Sequence, residues 1–592
     1  MTFLRQSEPA AFAPPESTLQ EGNELFPMTT RNCCHDRVRP IEFSAIVVLA
    51  VLLLLVTAAV AQKPVAELPR VHIDTTWKEP TGGKTWRAHT AAELSTALAK
   101  SAPGDVIVLD AGATYVGAFV LPPKDNPQKK WIYIESSALA KLPPGKRVGP
   151  EDAANMPKLV TPSVAAAFQV NGGANHWRLA GLELTAASNF PSGCPETANC
   201  MTYFLVGSQS RPTPLPDSFV IDRCYIHGSA TQDLQSAVTM NASNYAVIDS
   251  RISDVHIKGF DSVALGAYWS PGPFKIVNNF LSSSTENVMF GGSGGPDTPY
   301  VPSDIEIRNN YLFKPLEWLP LNLNAHSMVV KNAFELKSAQ RVLFDGNTIE
   351  NVWAGGQVGY AIVLTVRSSQ SGDIAVVNDV TITNNVLKNV VSGVNTLTKD
   401  DQCGKPSYPK CTNPGEQNRW YIANNLILFY DPSLPGGNRN AGIAISPGLQ
   451  NVVFQHNTMV SADSKPCWNA IFFGISGGKP PLSNITSNIW FLDNVLCRQP
   501  TGDWGQQGTS GLTQYMGSPN GSAQDLNKRF FGNVIYVPGE DKLQSFPSHN
   551  LATTKSLRFV DPSQGNYDLL QPKWTETTDG KIAGVDSATL PH

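Results

Sequence analysis

Eight segments of the chain repeat one pattern of apolar and polar positions. They read Ile276-Val-Asn-Asn279-Phe-Leu281, Ile307-Arg-Asn-Asn310-Tyr-Leu312, Phe344-Asp-Gly-Asn347-Thr-Ile349, Ile382-Thr-Asn-Asn385-Val-Leu387, Ile422-Ala-Asn-Asn425-Leu-Ile427, Phe454-Gln-His-Asn457-Thr-Met459, Phe491-Leu-Asp-Asn494-Val-Leu496 and Phe530-Phe-Gly-Asn533-Val-Ile535. A large apolar residue always stands three positions before the asparagine, and another two after it. Two earlier segments, around Cys224 and Ser250, keep the apolar columns and replace the asparagine. One copy cannot bury its apolar face alone. Copies stacked at roughly 4.8 Å join those faces into a continuous core. The pattern predicts an all-β parallel β-helix, a solenoid. The asparagine is expected to sit at a bend in the left-handed conformation and to bond the same amide one coil away. Successive asparagines lie roughly 30 to 40 residues apart, more than a bare coil needs, so long loops must project.

The flanks read differently. Ala91–Lys100 has helical periodicity behind Thr90, a good N-cap, and Pro103-Gly104-Asp105 turns into the apolar strand Val106–Leu109. This predicts an N-terminal helical cap over the open end of the stack. Boundaries are expected at 1–61 for a leader, 62–130 for a lead-in and cap, 131–537 for the coils and 538–592 for a closing tail. The leader holds the apolar run Phe43–Ala61, preceded by Arg31, Arg37 and Arg39 and ending in Ala59-Val60-Ala61. It reads as a cleaved signal peptide counted from Met28, with an uncleaved membrane anchor as the alternative. Either places the protein outside the cytoplasm: secreted, periplasmic or at the cell surface.

Nine cysteines fit that compartment. Cys194/Cys200 and Cys403/Cys411 are close pairs in loops, Cys467 and Cys497 are placed to pair across coils, and Cys224 reads as a buried free thiol. Net charge is -4, from 45 basic and 49 acidic residues, and no basic stripe suggests nucleic acid. The aspartate sets and Gly-His-Gly of β-helix hydrolases, Walker loops and dinucleotide fingerprints are absent from the sequence.

Gly259-Phe-Asp-Ser262, Gly272-Pro-Phe-Lys-Ile-Val-Asn-Asn279, Glu286-Asn-Val-Met-Phe-Gly-Gly292 and Lys331-Asn-Ala-Phe-Glu-Leu-Lys337 resemble a family of secreted bacterial β-helix proteins in the pectin-lyase-like superfamily. The resemblance implies a right-handed helix over most of residues 70–592 and no particular activity.

Alternation in Phe334-Glu335-Leu336-Lys337 turns Glu335 and Lys337 outward. One coil on, Ile362–Val366 does the same for Arg367. With Leu336 stacked on Val366, Lys337 and Arg367 become neighbours. A lysine crowded by a second cation sheds its proton more readily, and abstracting the proton α to a uronate carboxylate needs such a base plus a cation on the carboxylate. Glu335, Lys337-Ser338, Asn347-Thr348 and Arg367 also follow in the order of the chondroitinase B and alginate lyase family. The lysine-to-Asn-Thr spacing is one residue longer here, and the tract before Arg367 carries an insertion. The resemblance implies a lyase with Lys337 as base, Arg367 as neutraliser and Glu335 as orienting group. Glu335 and Lys337 equally fit a solvated pair.

Asp261, Glu286 and Asn287, beside Gly291-Gly292, could bind sugar hydroxyls or calcium, or cap turns. No other cofactor is expected. Trp269, Trp318, Trp353 and Tyr360 could stack on sugar rings or pack under loops. His256 and Lys258 are expected to face solvent. Lys275/Glu306 and Arg308/Asp345 read as cross-strand ion pairs. The expected partner is an acidic polysaccharide, bound by a monomer. The expected function is β-elimination of a uronate glycan. A non-catalytic glycan-binding or surface solenoid and a uronate epimerase are the alternatives.

Overall fold

The computed structural model describes residues 63–591 except 188–201, 209–212, 258, 269, 293–299, 320–327, 368–374, 401–402, 404–415, 431–435, 437–440, 447, 462–468, 474–486, 499–511, 513–515, 517–522 and 539–545. The leader therefore lies outside the described residues, as do Cys194, Cys200, Cys411, Cys467, Lys258 and Trp269.

The described strands form three long parallel sheets of 14, 11 and 14 strands, wound as a right-handed parallel β-helix. The apolar columns of the sequence are the ladder columns. In the first sheet Ile276, Ile307, Phe344, Ile382, Ile422, Phe454, Phe491 and Phe530 stand opposite one another in turn. In the third sheet Leu281, Leu312, Ile349, Leu387, Ile427, Met459, Leu496 and Ile535 do the same. Both columns are buried, and each such side chain contributes about 1.5–3 kcal/mol of transfer free energy.

The corner between these sheets is hydrogen-bonded from coil to coil. The Oδ1 of Asn347 accepts the backbone N–H of Asn310 at 2.9 Å and its side-chain amide at 3.0 Å. The Nδ2 of Asn347 donates to Ile307 O and to Asn385 Oδ1. The same set links Asn279, Asn310, Asn347, Asn385, Asn425, Asn457, Asn494, Asn533 and Asn550. Ser250 and Cys224 extend it backward, Ser250 N–H donating to Asn279 Oδ1 and Cys224 N–H to Ser250 Oγ. Burial raises the Cys224 thiol to about 12.

The left-handed residue is not the ladder asparagine but the one before it. Asn278, Asn309, Gly346, Asn384, Asn424, His456, Asp493 and Gly532 carry φ between 53° and 73°. A side-chain amide or no Cβ suits that corner, which explains the Asn-Asn and Gly-Asn doublets.

The cap helix spans Ala91–Lys100, with Thr90 and Glu93 forming a capping box. Coils begin before it rather than at 131, because Thr85–Ala88 pairs with Val106–Leu109. They also continue past 537, to Leu551–Thr553. The lead-in runs back along the first sheet against the coil order. Lys63 reaches Gln455, Glu67 N–H donates to Asp379, Arg70 N–H to Asp304, and Arg178 donates to Thr75 O. Lys275 stands opposite Glu306, yet its ammonium bonds Thr75 in this lead-in. Arg308 and Asp345 do pair, at 3.1 Å.

Removing the Asn347 side chain strands donors on Asn310 and acceptors on Ile307 and Asn385, at about 1–3 kcal/mol for each buried orphan. Asn347→Ala is expected to lower unfolding free energy by about 3 kcal/mol in urea titration; a loss under about 1 kcal/mol would show that the ladder is dispensable.

Candidate active site on the second sheet

Glu335, Lys337 and Arg367 occupy the second sheet, where the strand Phe334–Leu336 lies between Glu286–Phe290 and Tyr360–Thr365. Phe334 and Leu336 enter the core, as alternation requires. Leu336 stands opposite Leu364, not Val366. Beyond that pair the amide of Arg367 donates to Lys337 O at 3.0 Å, and the amide of Lys337 to Phe290 O at 2.9 Å. Lys337 and Arg367 are thus backbone neighbours on adjacent coils, although the register differs from the expected one.

Lys337 lies across Gly292. A Cβ there would meet Lys337 Cδ at 2.3 Å, and one on Gly291 would meet Ser338 N at 2.5 Å. Both glycines have positive φ. The doublet makes room for the Lys337-Ser338 turn. Lys337 Nζ lies 3.8 Å from Glu335 Oε1. Arg367 Nη1 donates to Asp400 Oδ1 at 2.7 Å, and Asp400 is buried. Asp400, which from sequence is only part of a loop, therefore holds the arginine.

Glu286 lies on the neighbouring coil, 1% exposed. Burial, then Glu335 and Asp261, hold its carboxyl well above the ordinary range, against the pull of Lys331. The Oε2 atoms of Glu286 and Glu335 are buried without a hydrogen-bond partner. Asp261 is exposed and paired with Lys331. Burial and the carboxylates Glu286, Asp261 and Glu335 push the Tyr268 phenol up. Lys331 and Tyr268 are additions from the structure; Lys331 opens the same stretch that carries Glu335 and Lys337, and charge alternation there was the available signal.

Two expected ligand-facing residues are not at this surface. Asn287 is fully buried; its Nδ2 donates to Leu281 O and its Oδ1 accepts from Lys314. Lys314, also fully buried, further donates to Ser283, Ser284 and Thr285 carbonyls, so this pair fills a turn. Trp353 is buried against Val330, Val391 and Tyr430, with Trp318 packed on the cluster. Tyr360 opens its strand, half-buried, with burial raising its phenol to about 12. His256 is buried rather than solvent-facing, bonded to Ser229 O at 2.8 Å.

Among the described residues, the group of three metal-type side chains with ligand atoms within 4.8 Å of one another is His456, Asp493 and Asp579, not Asp261, Glu286 and Glu335.

No family model matches the sequence, and no curated protein matches it. Among solved structures, the chain is similar to the PL6-family alginate lyase AlyGC, at 14% identity and TM-score 0.40 over 86% of this chain and 57% of that one. It is also similar to a PL6 alginate lyase in complex with a trisaccharide, at 11% identity and TM-score 0.40 over 89% and 98%. Pectate lyase Pel9A matches at 13% identity and TM-score 0.32 over 70% and 76%. The chain spans 57% of the length of AlyGC. At these identities the likeness concerns the fold alone. The chain is a right-handed parallel β-helix.

A carboxyl whose native pKa is raised binds more protons folded than unfolded, so it subtracts stability as pH climbs from the unfolded value of about 4.3 through the native one. Glu286→Gln is expected to flatten the fall in thermal midpoint between pH 4 and pH 8. Parallel curves for variant and parent would contradict the assignment.

Proposed function

We propose that the protein is exported and cleaves an acidic, uronate-bearing polysaccharide by β-elimination at Lys337 and Arg367. The supporting observation is their backbone contact across adjacent coils, beside the buried, half-unpartnered Glu335. Such a pair suits a reaction that needs a base and a cation together. Arg367, steadied by Asp400, and Lys331 offer positive charge to the substrate carboxylate. Lys337, oriented by Glu335, takes the proton α to that carboxylate. The C–H electron pair becomes the new C=C bond, and the glycosidic C–O bond at the β carbon breaks. The leaving oxygen takes up a proton from water.

A non-catalytic glycan-binding module is the second reading, favoured by the ion pair between Arg367 and Asp400, which already occupies part of the guanidinium.

Purified protein mixed with a panel of uronate polysaccharides, with and without calcium, is expected to generate the ultraviolet absorbance of an unsaturated uronate. Lys337→Ala and Arg367→Ala are each expected to cut the rate by about 100-fold or more. No absorbance on any uronate, with retention on a glycan array, would establish the binding module instead.

A further inference from the structure

A second cleft lies on the third sheet. It measures about 690 Å³, within the span of about 300–1,000 Å³ usual for ligand sites. Its floor is the outward side of the strands Tyr311–Phe313, Thr348–Val352, Val386–Val390 and Leu426–Phe429. The closing tail forms one wall through Gln564 and Tyr567, and Arg147, from the segment after the cap, lines it as well.

Arg147 is the informative residue. Its guanidinium is fixed by neutral oxygens alone: Asn309 O at 2.9 Å, Asn278 O at 3.3 Å and Asn278 Oδ1 at 3.4 Å. None of the ion pairs among the described residues includes it. The acidic group that acts on it, Asp249, is engaged by Asn278 Nδ2 and Gly145 N–H. Arg251 is a second guanidinium beside it and repels it. Arg251 lies 3.9 Å from the Phe280 ring centroid, and its Nε is buried without a partner. Phe280 meets Tyr311 edge-on at 5.5 Å. Tyr311 O–H donates to Glu350 at 2.5 Å, and Lys388 lies 3.2 Å from the same carboxylate.

A cleft-lining guanidinium with no carboxylate partner gains from an anion with planar acceptor oxygens. The half-buried ring of Tyr311 suits a sugar face, while Glu350 and Gln564 suit hydroxyls. We propose that this cleft is a second, non-catalytic binding site for an acidic oligosaccharide, whose carboxylate meets Arg147 and whose ring lies over Tyr311. It is built from the third sheet and the tail, whereas Lys337 and Arg367 belong to the second sheet, so it stands even if the β-elimination reading fails.

The test uses the full chain carrying Lys337→Ala, titrated by calorimetry with size-defined oligomers of alginate and of polygalacturonate, and with a neutral oligosaccharide of equal length as control. Binding of a uronate oligomer is expected to weaken about tenfold or more on adding Arg147→Ala, and severalfold on adding Lys388→Ala. Lys388 is half-exposed, so that variant decides the matter if Arg147→Ala loosens the fold. Unchanged affinity in both variants, equal binding of the neutral oligosaccharide, or no binding of any uronate oligomer would each overturn the proposal. Absorbance assays in the Lys337 parent, run with Arg147→Ala alone, report separately on the second-sheet site.

Discussion

Everything in this protein hangs on one buried polar contact repeated along the stack: an asparagine amide whose every donor and acceptor is met by the coils on either side. A buried amide without partners would cost more than most apolar contacts return. Shifting one coil by a single residue would break the bonds above and below it and would turn its outward residues inward. The apolar columns alone tolerate a slip of two residues, which keeps the same face inward, since Ile, Phe, Leu and Met interchange among them. The amide does not, so it sets the register that the greasy core then stabilises.

Register in turn decides which charges meet. Glu335 faces Met289 and Val363, and Lys337 receives the amide of Arg367, only because each coil is held in step with the next. The same stacking lines up Arg251, Phe280 and Tyr311 on another sheet. Two surfaces of different chemistry are therefore displayed by one repeat, each by its own set of outward positions, with no separate domain for either.

The sequence carried the fold well, because the asparagine frame is periodic and the ladder columns are those same residues. It carried the site less well. Alternation around Glu335 gave the correct outward positions, but the partner Asp400 comes from a loop whose path no periodicity describes. Asn287 and Trp353 look like ligand residues by type. Their burial depends on Lys314 and on the cluster around Val330, which reach them from distant parts of the chain. The left-handed corner was displaced by one residue, since the doublets offer two asparagines and only geometry says which one turns. The cleft around Arg147 left no motif at all, because its walls come from residues more than four hundred positions apart.

The lead-in that runs backward along the first sheet changes how the solenoid should assemble. A stack of repeats ordinarily gains stability by nearest-neighbour terms and can fray from either end. Here residues 63–79 touch coils as far apart as those of Arg178 and Gln455, so they can dock only after those coils exist. The strap ties distant repeats to one another directly. Opening the coil at Gln455 means peeling away the lead-in, and a quasi-one-dimensional array acquires the all-or-none cooperativity of a globular domain.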